Sequence, residues 1–161
     1  MESISCEDCQ KFIEQLNAHL AGTPGAPVGY RFSLPTESQW EYACRAGTTT
    51  KYHFGDTLTS NQANFNSNLK KTSEVGSYPA NTWGLFDMHG NVWEWCSDWY
   101  GTYPSDAVTD PKGASSGSNR VLRGGGWFSL AEDCRSARQN VLGTSNRHGD
   151  CGVRLALVRA E

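Results

Sequence analysis

The stretch that decides the fold reads Gly84-Leu85-Phe86-Asp87-Met88-His89-Gly90-Asn91-Val92-Trp93-Glu94-Trp95. Its side chains at Asp87, Asn91 and Glu94 are hard oxygen donors, and Gly90 allows a carbonyl to approach an ion. Calcium takes about six to eight oxygen ligands, mixed from carboxylates and carbonyls. The residues alone leave two interpretations open: a calcium site, or side chains that cap turns while the two tryptophans pack in the core.

Composition limits the class of protein. The chain has 161 residues and a formal net charge of −3, with 17 glycines and 6 tryptophans. This length fits one domain over residues 1–161, since domains run to roughly 100–200 residues. Many glycines beside many large aromatics indicate a loop-rich domain whose irregular backbone is held by rings.

The sequence leads us to expect that several classes of protein do not apply to this chain. No apolar run approaches the ~20 residues of a membrane span, and no apolar region of a signal peptide follows Met1. We therefore expect a soluble protein without a membrane span. Lys70-Lys71 is the one basic pair in a mildly acidic chain, which predicts no nucleic-acid partner. Six cysteines in a chain of this length do not suggest a disulfide-built fold.

Local patterns predict two helices and a small sheet. Ser5 and Asp8 precede apolar residues at helical spacing, and Thr36-x-x-Gln39 forms a capping box for a second helix that Gly47 closes. Short strands are predicted over 31–34, 92–96, 120–123 and 152–158, separated by turn formers. The fold class is thus α+β: two helices, a small antiparallel sheet and extensive ordered loops.

Three further blocks accompany the opening stretch: Arg31-Phe32-Ser33-Leu34-Pro35-Thr36-Glu37-Ser38-Gln39-Trp40-Glu41-Tyr42, Arg123-Gly124-Gly125-Gly126-Trp127 and Gly152-Val153-Arg154-Leu155. Together the four blocks resemble the formylglycine-generating enzyme (sulfatase-modifying factor) family over about residues 5–158. The resemblance implies that family's variant of the C-type lectin fold. Family domains also begin with an N-terminal segment that has no counterpart here, so we expect a pared-down domain or a fragment.

The resemblance implies a calcium site at Asp87, Gly90, Val92 and Glu94, two by side chain and two by backbone carbonyl. A second family site matches Asn64 and Phe65, but its other ligands lie in a loop that is short here, so it is not carried over.

The family's enzymes oxidise a substrate cysteine to formylglycine with two cysteines that bind copper(I). The corresponding interval, 127–138, holds only Cys134. We therefore predict no catalytic residues and no copper site. Formylglycine synthesis remains the alternative function, and Cys151 is the one thiol that the fold would have to bring to Cys134 for it.

The family also includes variable proteins of diversity-generating retroelements, whose ligand-contacting codons are randomised at adenines. This resemblance leads us to expect a bacterial-type or phage protein. Asparagine-type codons randomised at adenines cannot encode Lys, Glu, Gln, Met or Trp. Residues 128–130 and 141–151 all fall within the encodable set. We therefore predict a ligand-binding domain that takes a protein or surface molecule on a variable face near 127–151. The predicted contacts are Trp127, Phe128, Ser129, Leu130, Val141, Leu142, Thr144, Asn146, Arg147, His148, Asp150 and Cys151.

Overall fold

In the computed structural model of the chain, which describes residues 2–160, both helices begin at the capping boxes that the sequence predicts. Helix α1 spans Cys6–Leu20, and the backbone N–H of Asp8 donates to Ser5 Oγ over 3.1 Å. Helix α2 spans Glu37–Arg45 and ends where Ala46 takes a left-handed conformation (φ 44°). No helix in this range is long and apolar enough to cross a bilayer.

Six strands form two sheets within the part of the chain that the structure describes. They are β1 (Tyr30–Ser33), β2 (Trp93–Trp99), β3 (Asn119–Arg123), β4 (Gln139–Gly143), β5 (Cys151–Gly152) and β6 (Ala156–Arg159), and a 3-10 turn spans Ala131–Cys134. The larger sheet has the order β4-β3-β2-β5, and β1 pairs with β6 in the smaller one. All pairs are antiparallel except β2 with β5. The α+β class and the C-type lectin-like fold are confirmed.

The structure differs from the sequence prediction at two strands. The predicted strand over 152–158 is divided into β5 and β6. Strand β4 was not predicted, because its polar, glycine-ended sequence shows no alternation. It is defined by pairing with β3, in a register that joins Val141 to Val121. Residues 141–143 are therefore part of the sheet.

Tryptophan rings fill the core, as the sequence predicts. Trp93 and Trp95 pack with residues of α1, including Cys6 and Ile13, in one buried cluster. Trp40 of α2 packs in a second cluster that includes Met88. Aromatic burial therefore joins both helices to the larger sheet.

One buried carboxylate connects three parts of the chain. Glu94, only 4% exposed, lies in β2, an inner strand of the larger sheet. Its Oε2 accepts hydrogen bonds of 2.7 Å from Trp40 Nε1 and from Arg154 Nε. Arg154 also donates to Glu94 Oε1 over 2.8 Å and to the carbonyl of Phe86 over 2.9 Å. A buried carboxylate is tolerated when it is paired and hydrogen-bonded in this way.

Replacing Arg154 with Met should therefore destabilise the fold strongly. The change leaves Glu94 buried without its cation, a loss that costs about 3 kcal/mol. The free energy of unfolding in urea measures it. Arg159→Met, at an exposed position of β6, is the matched control and should change the free energy little. Equal unfolding midpoints for the two variants would contradict the role given to the Glu94–Arg154 pair.

Candidate functional site

A cleft of about 290 Å³ opens between segment 127–130 and strand β4. Phe128 and Leu130 line it and are about half exposed, at 50% and 53%. The buried Trp93 also lines it, with Ser129, Asp133, Arg138 and Asn140. Trp127 stands beside Phe128, edge to face, with ring centroids 5.2 Å apart. The cleft therefore offers apolar walls beside a polar rim, where Arg138 Nε lies 3.1 Å from Asp133 Oδ1.

Three of the residues predicted to bind ligand are buried. Ser129, Asp150 and Cys151 are each less than a tenth exposed. Ser129 Oγ accepts the backbone N–H of Gly126 over 2.9 Å. Asp150 packs so closely on Gly126 that a Cβ there would meet Asp150 Oδ2 at 2.3 Å. Burial raises the pKa of the Asp150 carboxyl. We therefore place these three residues in the frame that supports the face.

The loop from 144 to 150 is held against the first turn of α1. Arg147 donates from Nε and from Nη2 to the Asp8 carboxylate, each over 2.8 Å. Thr144 Oγ1 donates to Glu7 Oε1 over 2.9 Å. These bonds position the exposed residues Asn146 and His148 on the outside of the loop.

Strand β4 supplies the two remaining predicted contacts. Val141 and Leu142 are half-buried, and Leu142 packs against the core cluster that contains Trp93. The predicted set thus divides between the sheet, the cleft and the docked loop. Sequence reasoning assigned these residues to one irregular surface.

A segment that the sequence prediction did not include lies beside the residues predicted to bind ligand. Residues 66–71, here called the flanking loop, run beside segment 127–129. The backbone N–H of Asn66 donates to the carbonyl of Ser129, and that of Ser67 to the carbonyl of Trp127, each over 2.8 Å. All six residues of the flanking loop are exposed. Nothing in their sequence pointed to a pairing some 60 residues away.

Three of the four residues predicted to hold calcium line a separate, open cleft together with Arg154: Asp87, Val92 and Glu94. The fourth, Gly90, is buried and does not line this cleft. Asp87 Oδ2 accepts the backbone N–H of Gly76 over 2.7 Å. Two carboxylates and nearby carbonyls match the donor types that calcium prefers, and an ion here would share Glu94 with Arg154. The residues present therefore match a calcium ion in the chemical type of their donor atoms.

Comparison with known proteins agrees with the fold and the motifs. Residues 1–159 match the family described as "Sulfatase-modifying factor enzyme 1-like domain". The chain belongs to this family. Its relatives include a serine/threonine-protein kinase pkn1 of Chlamydia caviae, 48% identical over 134 residues that cover 80% of this chain and 21% of that protein. The formylglycine-generating enzyme of Streptomyces coelicolor is 40% identical over 145 residues, covering 76% of this chain and 46% of the enzyme.

Among solved structures, variable protein 1 of Treponema denticola superimposes with a TM-score of 0.85 and 30% identity. The superposition covers 99% of this chain and 71% of that one. These relatives are bacterial. The family domain spans about a fifth to a half of the length of the curated relatives that it matches.

The thiols of Cys134 and Cys151 are not paired with each other. Cys134 packs in a cluster with Tyr52, Ala63 and Phe65, whereas Cys151 packs with the residues around α1. Burial raises the pKa of both thiols to about 12. Within residues 2–160, no group of three or more His, Cys, Asp or Glu side chains is arranged to hold a metal ion.

The contact between Arg147 and Asp8 has a measurable signature. Arg147 is the main reason that the pKa of Asp8 lies below its ordinary value, with Ser5 the next. Arg147→Ser should therefore raise the Asp8 pKa part of the way towards about 3.9. Because the folded pKa is lowered, the stabilisation by this contact is present above the ordinary pKa and is lost as the pH falls through the folded value.

Titration of the Asp8 carboxyl carbon by NMR measures this shift. Arg138→Ser removes another exposed arginine and should leave the Asp8 titration unchanged. An unchanged Asp8 pKa in Arg147→Ser would show that the loop is not held by this contact in solution.

Proposed function

We propose that this domain is a ligand-binding module of the diversity-generating retroelement type, with Phe128, Leu130, Asn146 and His148 as its principal contact positions. The observation that carries the proposal is their exposure on a frame of buried neighbours, in a chain that superimposes on a bacterial variable protein. Exposed loop positions on a rigid scaffold tolerate substitution and carry binding.

The chemistry of the face supports a protein or another surface molecule as its ligand. Phe128 and Leu130 provide apolar anchors at the cleft, and aromatic anchors in pockets dominate the energy of protein interfaces. Asn146 and His148 add directional polar groups. Of the twelve residues predicted from the sequence, the proposal keeps Phe128, Leu130, Asn146 and His148 as contacts. It gives the other eight a supporting role: Trp127, Ser129, Val141, Leu142, Thr144, Arg147, Asp150 and Cys151.

Two experiments test this function. The DNA beside the gene should contain a near-copy of the last ~40 codons, differing at adenines, next to a reverse transcriptase gene. Absence of this near-copy would discard the retroelement origin.

The second experiment tests which positions tolerate change. A library randomised over the encodable residues at 128, 130, 146 and 148 should remain mostly folded when displayed and challenged with protease. The matched library at 129, 150 and 151 should mostly unfold, because these side chains are buried. Equal survival of the two libraries would contradict the division into exposed contact positions and buried supporting positions.

A second candidate is oxidation of a substrate cysteine, which the 40% identity to the Streptomyces coelicolor enzyme favours. The separation of Cys134 from Cys151 argues against a copper(I) site made by these two thiols. Incubation with copper(I), oxygen, a thiol reductant that supplies the other two electrons for O₂, and a cysteine-containing peptide should yield no formylglycine by mass spectrometry. Turnover would replace the binding proposal with the enzymatic one.

We also propose that Asp87, Gly90, Val92 and Glu94 hold a calcium ion, as their donor chemistry allows. A ligand that binds only the folded state stabilises it by about 2.7 kcal/mol at a hundredfold excess over its Kd. Millimolar calcium should therefore raise the Tm relative to EDTA. Asp87→Asn should reduce this rise, whereas Asp106→Asn, in an exposed loop, should not. An equal Tm in calcium and in EDTA would refute the proposed calcium site.

A further inference from the structure

The flanking loop is a rigid neighbour of the proposed face. Asn66, Ser67 and Lys70 have left-handed backbone conformations, with φ of 52°, 56° and 57°. The loop is closed at its base, where Asn64 Nδ2 donates to the carbonyl of Lys71 over 2.9 Å. A surface that is already ordered loses little conformational entropy when it binds. The loop therefore has the preorganisation expected of a contact surface.

The flanking loop carries an exposed apolar side chain of its own. Leu69 is 43% exposed, close to the exposure of Phe128 and Leu130. The two backbone hydrogen bonds from Asn66 and Ser67 join this loop to segment 127–129. Exposed apolar residues on adjoining segments are typical of protein interaction sites.

The charge around the face opposes that of the chain as a whole. The flanking loop and segment 127–140 carry four basic side chains, Lys70, Lys71, Arg135 and Arg138, and two acidic ones, Glu132 and Asp133. The complete chain has a net charge of −3. A local excess of positive charge on an acidic protein attracts acidic partners and orients them as they approach.

We propose that the flanking loop is a fixed part of the binding face, and that it selects protein partners presenting an apolar side chain beside carboxylates. This inference rests on the proposed binding function. Leu69 contacts the apolar side chain of the partner, beside the residues at 128 and 130, and Lys70 and Lys71 pair with its carboxylates. The loop contributes the same preference whatever residues occupy the positions proposed to vary.

The test uses small probes in place of the unidentified partner. The uniformly ¹⁵N-labelled chain is titrated with 2-naphthalenesulfonate, with 2-naphthol and with a naphthylmethylammonium ion, which share an aromatic ring system and differ in charge. Amide shifts should map the sulfonate to residues 66–71 and 127–131. The sulfonate should bind about fivefold more tightly than the ammonium ion, the size of one exposed charge contact, and the preference should weaken in 0.5 M salt.

Charge reversal provides the matched comparison. Lys70→Glu with Lys71→Glu should abolish or invert the preference for the sulfonate. Lys11→Glu with Arg159→Glu makes the same change in net charge at exposed positions outside the face, and it should leave the preference intact. Equal binding of the three probes at 127–131, or an equal effect of both double variants, would overturn the role of the flanking loop while leaving the face in place. Probe shifts confined to other parts of the molecule would overturn the proposed face itself.

Discussion

The burial of Glu94 is the constraint on which the rest of this domain depends. In the larger sheet, Glu94 stands opposite Arg123 of β3 on one side and Gly152 of β5 on the other. Its carboxylate accepts hydrogen bonds from α2, through Trp40, and from the segment between β5 and β6, through Arg154. Because a carboxylate without partners is too costly to bury, helix, sheet and C-terminal segment must meet at this one position.

The residues just before Glu94 extend this order to the proposed face. The backbone N–H of Asn91 donates to the carbonyl of Asn64, and the carbonyl of Asn91 accepts the N–H of Trp127, each over 2.8 Å. Gly90 has no space for a side chain, since a Cβ would lie 2.3 Å from Asn64 O. One short stretch therefore positions both the base of the flanking loop and the start of segment 127–130.

The parts of the structure that could be predicted from the sequence are those determined by neighbouring residues. The capping boxes at Ser5 and Thr36 depend on side chains three residues apart, and both are present. Strand β4 and the pairing of residues 66–67 with 127–129 depend on partners distant in the chain, and both were missed. The contact of Arg147 with Asp8 spans 139 residues, so no local pattern revealed that this predicted binding residue is held by α1.

The alternation of buried and exposed residues within 128–130 has a consequence for how such a face works. Ser129 cannot change freely, because its Oγ holds the backbone of Gly126, whereas Phe128 and Leu130 on either side are exposed. A face with few free positions gains little affinity from variation alone, since each new side chain must be ordered when it binds. Under the proposed binding function, a rigid, unvarying surface such as the flanking loop would supply part of the interaction without that loss. The free positions would then determine which partner is bound, because the flanking loop would already have contributed to how tightly it is held.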